Sequence, residues 1–475
     1  MVYSGIIDLL GEKKVKNLKH DIGLRLVKLL NVVLLTVPFA LCWYLYYAER
    51  ISVNYYQMGY VAVVGLFVVL YVLFARVYDA FLVSVNRISE MVYSQGLAAL
   101  ISDGIMFVVI WLLSRNFPNL LPGLAALVAQ LVLAVLWSVL AHKWYYHSFP
   151  PKPSAIIYGR RYGMENLIQD YGLQKKFKIQ FTAGAEDCVR DLDMLQGMNT
   201  VFVSGVNSHE RNIILKYCIA NNIDVYVIPR IGDIIMSGAR KMHMFHLPVL
   251  RVGRCNLRPE EKLLKRLFDI ISSALVLLVV SPVMIVTAIA IKAHDGGPVF
   301  YKQERLTLDG KVFKVMKFRS MRVDAEKDGV ARLSTGDKDD RITPVGKVIR
   351  KLRIDELPQL LNILSGSMSV VGPRPERPEI AKQYEEDLPE FKLRLQVKAG
   401  LTGYAQVYGK YNTTPYDKLQ MDLMYIANPS FVEDLRIIFA TIKILFVPES
   451  TDGIAEGQTT AMAQQDEKEL VTPGK

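Results

Sequence analysis

The stretch RIDELPQLLN, residues 353–362, sets two carboxylates side by side, Asp355 and Glu356, with Arg350 and Arg353 just ahead of them. An ionised carboxylate at the mouth of a cationic pocket is the right species to attack phosphorus. A second carboxylate one residue on can hold Mg²⁺, which takes one or two carboxylates together with substrate phosphates. Leu357, Leu360, Leu361 and Leu364 recur at helical spacing and Gly366 ends the run, so a short amphipathic helix is expected. On that reading Asp355 stands at the N-cap, Glu356 in the acidic first turn, and Pro358 where a helix start tolerates it. A helix N-terminus lowers a carboxylate pKa and favours phosphate. An ordinary helix start and a reacting pair therefore share the same physics.

Three further segments carry side chains suited to phosphate. In FKVMKFRSM (313–321) a strand would place Lys317 and Arg319 on one face, either as a solvated edge or as phosphate contacts. In VVGPRPERPEI (370–380) Arg374 lies between Pro373 and Pro375, which present the guanidinium from stiff backbone. Arginine binds phosphate in bidentate fashion. In VKAGLTGYAQVYGKYN (397–412) Gly400, Gly403 and Gly409 surround Thr402, Tyr404 and Gln406. This is loop chemistry that lets backbone approach a ligand, with Thr402 and Gln406 as polar contacts and an aromatic ring for stacking.

The elements that must position these residues follow from composition. The 475 residues suggest about three domains. Hydrophobic residues make up 51% and the mean hydropathy is +0.21, too apolar for a purely soluble chain. A formal net charge of +11 points to an anionic partner, a membrane surface or a phosphorylated ligand. No recognition motif speaks for nucleic acid. Cys42, Cys188, Cys218 and Cys255 are scattered, without disulfide or zinc spacing. No signal-peptide pattern opens the chain.

Four apolar runs, 29–46, 58–75, 96–113 and 124–140, read as membrane helices, the third interrupted by Asp103. Lysine and arginine crowd the N-terminal flank, the second loop and the stretch after the fourth run, which places both ends in the cytoplasm. A stiff SFPPKPS linker (148–154) leads to a βα pattern with strands expected at 155–159, 178–183, 200–205 and 225–229. This is a Rossmann-like α/β module, 148–255, without the GxGxxG fingerprint of a dinucleotide site. A fifth apolar run, within 264–293, carries Ser281-Pro282 at its middle and basic residues at both ends. Proline breaks or kinks a helix, and symmetric charge argues against a crossing. A broken, re-entrant helix is expected, with the Ser281 hydroxyl as a partner for freed backbone; the alternative is a kinked fifth span. Residues 449–475 read as a disordered tail.

Taken in order, Lys265, Arg266, Phe268 and Asp269, the Ser281-Pro282 pair, KFRSM (317–321), DELPQ with Asn362, VGPRP (371–375) and GLTGYAQV (400–407) resemble the bacterial sugar transferase family, the monotopic phosphoglycosyl transferases. With the preceding segments, the chain resembles the family's large form. That implies a multi-domain membrane protein: a transmembrane four-helix region (1–147), the Rossmann-like module (148–255), and an α/β monotopic catalytic domain (256–448). The resemblance also implies a reaction. Asp355 would attack the β-phosphate of a UDP-sugar, glucose or galactose leading, and release UMP. The sugar-phosphate would then pass to undecaprenyl phosphate, initiating polysaccharide assembly at the inner membrane. Glu356 would bind Mg²⁺, and Lys317, Arg350 and Arg374 would contact phosphate. A homodimer is implied by resemblance as well. Related chains usually carry glycine at Thr307, proline at Ala399 and tryptophan at Tyr404. The competing reading is a catalytically silent membrane scaffold; an intact Asp355-Glu356 with both Arg350 and Arg374 speaks against it.

Overall fold

The computed structural model describes residues 2–48, 57–159, 164–170, 172–255, 257–322, 341–409 and 413–444. The tail expected at 449–475 lies outside the described residues. The chain forms two compact units, Met1–Ile228 and Pro229–Lys475.

In the first unit, four long helices contain the four predicted apolar runs. They are α1 (Val2–Cys42), continued by a π-helical turn at Trp43–Tyr47, α2 (Gln57–Val77), α3 (Ile88–Ser114) and α4 (Leu120–Ser148). Each is long and apolar enough to cross a membrane. Their shared interior carries a polar ladder. Asn31 on α1 donates to Gln95 on α3 at 3.0 Å and accepts from Tyr71 on α2 at 2.8 Å. Gln95 in turn donates to Ser138 on α4 at 3.2 Å. Such bonds hold helices together where no hydrophobic force separates protein from lipid.

The same unit holds a four-stranded parallel sheet. Its strands are β1 (Lys152–Tyr158), β2 (Phe177–Gly184), β3 (Thr200–Ser204) and β4 (Asp224–Val227), in the order β2-β1-β3-β4. Helices α5 (Met164–Asp170), α6 (Ala185–Arg190) and α7 (Ser208–Ala220) make the connections. β3 is buried at every position, as a parallel strand covered on both faces must be. Cys188 and Cys218 are buried in this core as free thiols.

The second unit begins earlier than the sequence pattern places it. Helix α8 (Ile231–Ser237) and the antiparallel hairpin β5 (Arg240–Met244) and β6 (Leu247–Arg251) belong to it. Ile234 sits in a core with Leu419, Leu423 and Ile426, and a Cβ at Gly238 would meet the Ala427 carbonyl at 2.6 Å. Next comes α9 (Pro259–Asp295), and here the structure corrects an expectation. The helix is not broken at Ser281-Pro282; it runs through as one 37-residue helix. Pro282 lacks the N–H that would reach the Leu278 carbonyl. Ser281 Oγ bonds that same carbonyl at 2.8 Å, so the acceptor is satisfied without a break.

The remaining elements build an α/β domain against one side of α9. Strands β7 (Phe300–Leu306) and β8 (Val312–Phe318) pair antiparallel. Helices α10 (Pro344–Lys351) and α11 (Gln359–Ser365) follow, then β9 (Ser369–Val371) and α12 (Pro378–Asp387). Strand β10 (Gly400–Thr402), which pairs parallel with β9, leads to α13 (Tyr404–Tyr408), α14 (Pro415–Ala427) and α15 (Phe431–Ile444). The domain grips α9 along its length. Arg266 donates to the Ile363 and Leu364 carbonyls at 2.6 and 2.8 Å, and Asp269 accepts from Ser369 Oγ and the Val370 N–H. Leu277 and Val280 pack on Val315, Leu360 and Ile363. At the far end Ile291 packs with Phe318 and Ile349, and Asp295 pairs with Arg319. The opposite face of α9, including Leu278, Val279, Ile285, Val286 and Ile289, is apolar and exposed.

Candidate active site

Asp355 and Glu356 lie in a single 3₁₀ turn, Ile354–Glu356, between α10 and α11. The expected N-cap is not formed. α11 starts at Gln359 with Pro358 ahead of it, and no side chain caps it. The reason is Arg353, which adopts a left-handed conformation (φ 56°) and turns the chain before the helix can begin. The Glu356 N–H closes the turn on the Arg353 carbonyl at 3.3 Å.

The two carboxylates have opposite surroundings. Glu356 Oε1 accepts from Lys317 Nζ at 2.9 Å and from Arg374 Nη2 at 3.0 Å. Burial opposes its charge, but Lys317 and Arg374 outweigh burial and hold the carboxyl well below the usual range. Asp355 has no hydrogen bond or ion pair among the described residues. Burial raises its pKa above the ordinary carboxylate value, and the charge on Glu356 adds to the rise; Lys317, Arg350 and Arg353 pull the other way. The expectation that a helix terminus lowers the Asp355 pKa is therefore reversed. Arg350 stands near Asp355 with Nη1 buried and without a hydrogen-bond partner among the described residues.

Asn362 sets the spacing between the turn and β8. Its side chain donates to the Lys314 carbonyl at 2.9 Å and accepts the Met316 N–H at 2.8 Å. That lashes α11 to the strand one residue before Lys317. Arg374 is fixed from behind. Its own carbonyl accepts from Arg394 Nη2 at 2.9 Å, and the Pro375 carbonyl accepts from Arg305 Nη1 at 3.0 Å. Glu376 pairs with Lys418 at 2.8 Å and Arg394 at 3.5 Å. Burial opposes the Glu376 charge, yet these cations hold its carboxyl down to about 2. Arg394, Arg305 and Glu376 escape sequence reasoning because their partners are distant in the chain; their only local signal is charge in an apolar context.

Other predicted contacts lie elsewhere. β8 ends at Phe318, so Arg319 leaves the face it was expected to share with Lys317 and pairs with Asp295. Thr402 bonds Thr441 at 2.5 Å, and Gln406 Nε2 bonds the Leu401 carbonyl at 3.1 Å. Gly400 and Gly403 serve backbone packing within the domain. A Cβ at either position would come within 2.1 Å of the Gly372 backbone. Ser281 and Pro282 are placed on α9 as described above.

Both cations on Glu356 use Oε1, which leaves Oε2 without a hydrogen bond among the described residues. No cluster of three or more His, Cys, Asp or Glu able to hold a metal occurs among the described residues. A site of one or two carboxylates completed by ligand phosphates is of the kind that fits Mg²⁺.

Residues 260–448 match the family model described as bacterial sugar transferase. The chain is 44% identical over 188 residues to the exopolysaccharide production protein PSS of Rhizobium leguminosarum bv. phaseoli, covering 38% of this chain and 93% of that one. It is 39% identical over 223 residues to the UDP-glucose:undecaprenyl-phosphate glucose-1-phosphate transferase of Escherichia coli (strain K12), 46% of this chain and 48% of that one. It is 37% identical over 234 residues to the UDP-N-acetylgalactosamine-undecaprenyl-phosphate N-acetylgalactosaminephosphotransferase of Aeromonas hydrophila, 49% of this chain and 54% of that one. The chain thus spans about half the length of the latter two relatives.

Proposed function

The chain belongs to the bacterial sugar transferase family, and from that premise we propose that it moves a hexose-1-phosphate from a UDP-sugar to undecaprenyl phosphate, releasing UMP. The observation that carries this reading is the contrast between the two carboxylates. Glu356 is pinned by Lys317 and Arg374, whereas Asp355 is unbonded and free to react.

In the proposed reaction an Asp355 oxygen forms a bond to the β-phosphorus of the UDP-sugar as the bond to the bridging oxygen of UMP breaks. An oxygen of the lipid phosphate then attacks the same phosphorus and Asp355 leaves. Arg350, with its unbonded Nη1, is placed to neutralise phosphate oxygens as charge develops. Lys317 and Arg374 hold Glu356 ionised and still. Glu356, through Oε2, would hold Mg²⁺, which when bound supplies further neutralisation of the diphosphate.

The placing of α9 supports a site on one membrane face. A helix of 37 residues is about 55 Å long, enough to cross a bilayer. Yet Arg266 near one end and Asp295 at the other bind the same domain, and the unbound face is apolar. A crossing helix would carry one end away from that domain. The helix therefore lies with its apolar face in one leaflet rather than across the bilayer, and the site is proposed to face the cytoplasm.

The test is UMP release from a panel of UDP-sugars by purified protein with undecaprenyl phosphate. Release with one sugar names the donor. No release with any sugar, from folded protein with Mg²⁺ present, would leave the scaffold reading.

A further inference from the structure

Three successive residues, Arg374, Pro375 and Glu376, are each held by a buried or half-buried cation from a different element. Arg394, from the 3₁₀ segment Pro389–Gln396, takes the Arg374 carbonyl. Arg305 on β7 takes the Pro375 carbonyl, and Lys418 on α14 takes the Glu376 carboxylate. The Leu306 N–H adds a bond to the Glu376 carbonyl at 3.0 Å. Only the Arg374 side chain leaves this grip, and it reaches Glu356.

Arg394 is the member that touches most of the set. Its side chain is 3% exposed and faces an equally buried partner, Asp422, at 1%. Nε and Nη2 both reach Asp422 Oδ2, at 2.8 and 2.7 Å. Nη2 also reaches the Arg374 carbonyl, Nη1 lies 3.5 Å from Glu376, and the guanidinium stacks 4.9 Å from the Phe391 ring. Asp422 Oδ1 is buried with no partner. A buried ion pair of this kind gives little net stability compared with apolar packing. What it provides here is direction: a planar fork that fixes one backbone carbonyl relative to a neighbouring acid.

We propose that Arg394, oriented by Asp422, is a positioning residue that holds the Arg374 carbonyl and thereby keeps the Arg374 guanidinium on Glu356. This rests on the phosphoglycosyl transfer reading for its consequence in catalysis, and on the contacts above for its geometry. A misplacement of about 1 Å in a positioned group is enough to cost roughly 10²-fold in rate.

The experiment separates folding from positioning by exchanging the buried pair for apolar residues, Arg394→Met with Asp422→Leu. Arg394→Lys, which keeps a charge beside Asp422 but loses the fork, serves as the second variant. The expected result is a folded protein in which kcat for UMP release falls about 10- to 100-fold. KM for the UDP-sugar should move less than kcat, because Arg394 acts only through the placing of Arg374 on Glu356. A folded variant with wild-type kcat overturns the proposal. A crystal structure of either variant decides the geometry without turnover: Arg374 displaced from Glu356 is expected, and Arg374 unmoved overturns it. Wild-type protein that releases no UMP counts against the transfer reading and leaves this structural arm to judge the positioning.

Discussion

Thr307 Oγ1 accepts the Ala399 N–H at 3.1 Å and donates to the Ser367 carbonyl at 3.1 Å. Both residues are buried. These are two of the positions at which the chain departs from the pattern it resembles, where glycine and proline are usual. The departures are chemically complementary: a proline at 399 would have no N–H, and a glycine at 307 no hydroxyl. Ala399→Pro alone should lower stability by about 1–2 kcal/mol by leaving a buried hydroxyl half satisfied. Adding Thr307→Gly should recover part of that loss. Thermal melts of the two singles and the double measure the coupling; strictly additive effects would show that the bond carries none.

Asp355→Asn should lower UMP release by at least about 10³-fold, since the unbonded carboxylate is the proposed nucleophile. Exchanging the pair, Asp355→Glu with Glu356→Asp, restores the net charge but should not restore activity. Lys317 and Arg374 would then face a shorter acid and the reacting oxygen would be displaced. Single-turnover UMP release checks both, and turnover by the Asn variant would remove the assignment.

The raised Asp355 pKa gives two signs to test. Ionisation of Asp355 is required for attack, so the rate should climb with pH along a limb lying above the ordinary value of 3.8. In the folded protein the same ionisation works against burial and the Glu356 charge. Its cost to stability is absent at low pH and grows as pH rises through the folded pKa. Asp355→Asn should therefore be inactive yet melt higher than wild type at neutral pH.

Glu376 carries the opposite sign. Its carboxyl is lowered from 4.5 to about 2, so its contribution is present above 4.5 and lost as pH falls from there toward 2. Glu376→Gln should flatten the acid side of the stability profile, measured by denaturant melts across that range. An unchanged slope would mean the pairing with Lys418 and Arg394 is already present in the unfolded chain.

Ser281→Ala should destabilise the protein by about 0.5–1.5 kcal/mol, because the Leu278 carbonyl loses its donor. Ser281→Ala with Pro282→Ala restores a backbone N–H at that point and should recover the loss. Melting in detergent compares the variants. Labelling of cysteines introduced before residue 267 and after residue 292 tests the topology, with both expected on one side.

The candidate pair was legible in the sequence because Asp355 with Glu356, Lys317 and Arg374 come from three recognisable segments. Their geometry was less so. Residue type gave no sign that Arg353 would take a left-handed conformation, and that conformation moves Asp355 off the helix terminus and reverses its pKa shift. Strand periodicity placed Arg319 beside Lys317, but periodicity cannot say that the strand stops one residue earlier. Gly400 and Gly403 were read as letting backbone approach a ligand; what they approach in the fold is the Gly372 backbone. The proline in α9 was read as a break because the side-chain donor one residue before it satisfies a carbonyl only in three dimensions.

In the proposed arrangement, a helix held at both ends by one domain fixes the height of that domain above the bilayer midplane. The proposed lipid acceptor then diffuses in two dimensions and meets the site without leaving its leaflet, while the nucleotide arrives from three. The acceptor concentration that governs the second half-reaction is a number per unit area. Diluting the lipid phosphate with inert lipid at constant bulk concentration should slow that half-reaction and leave the first untouched.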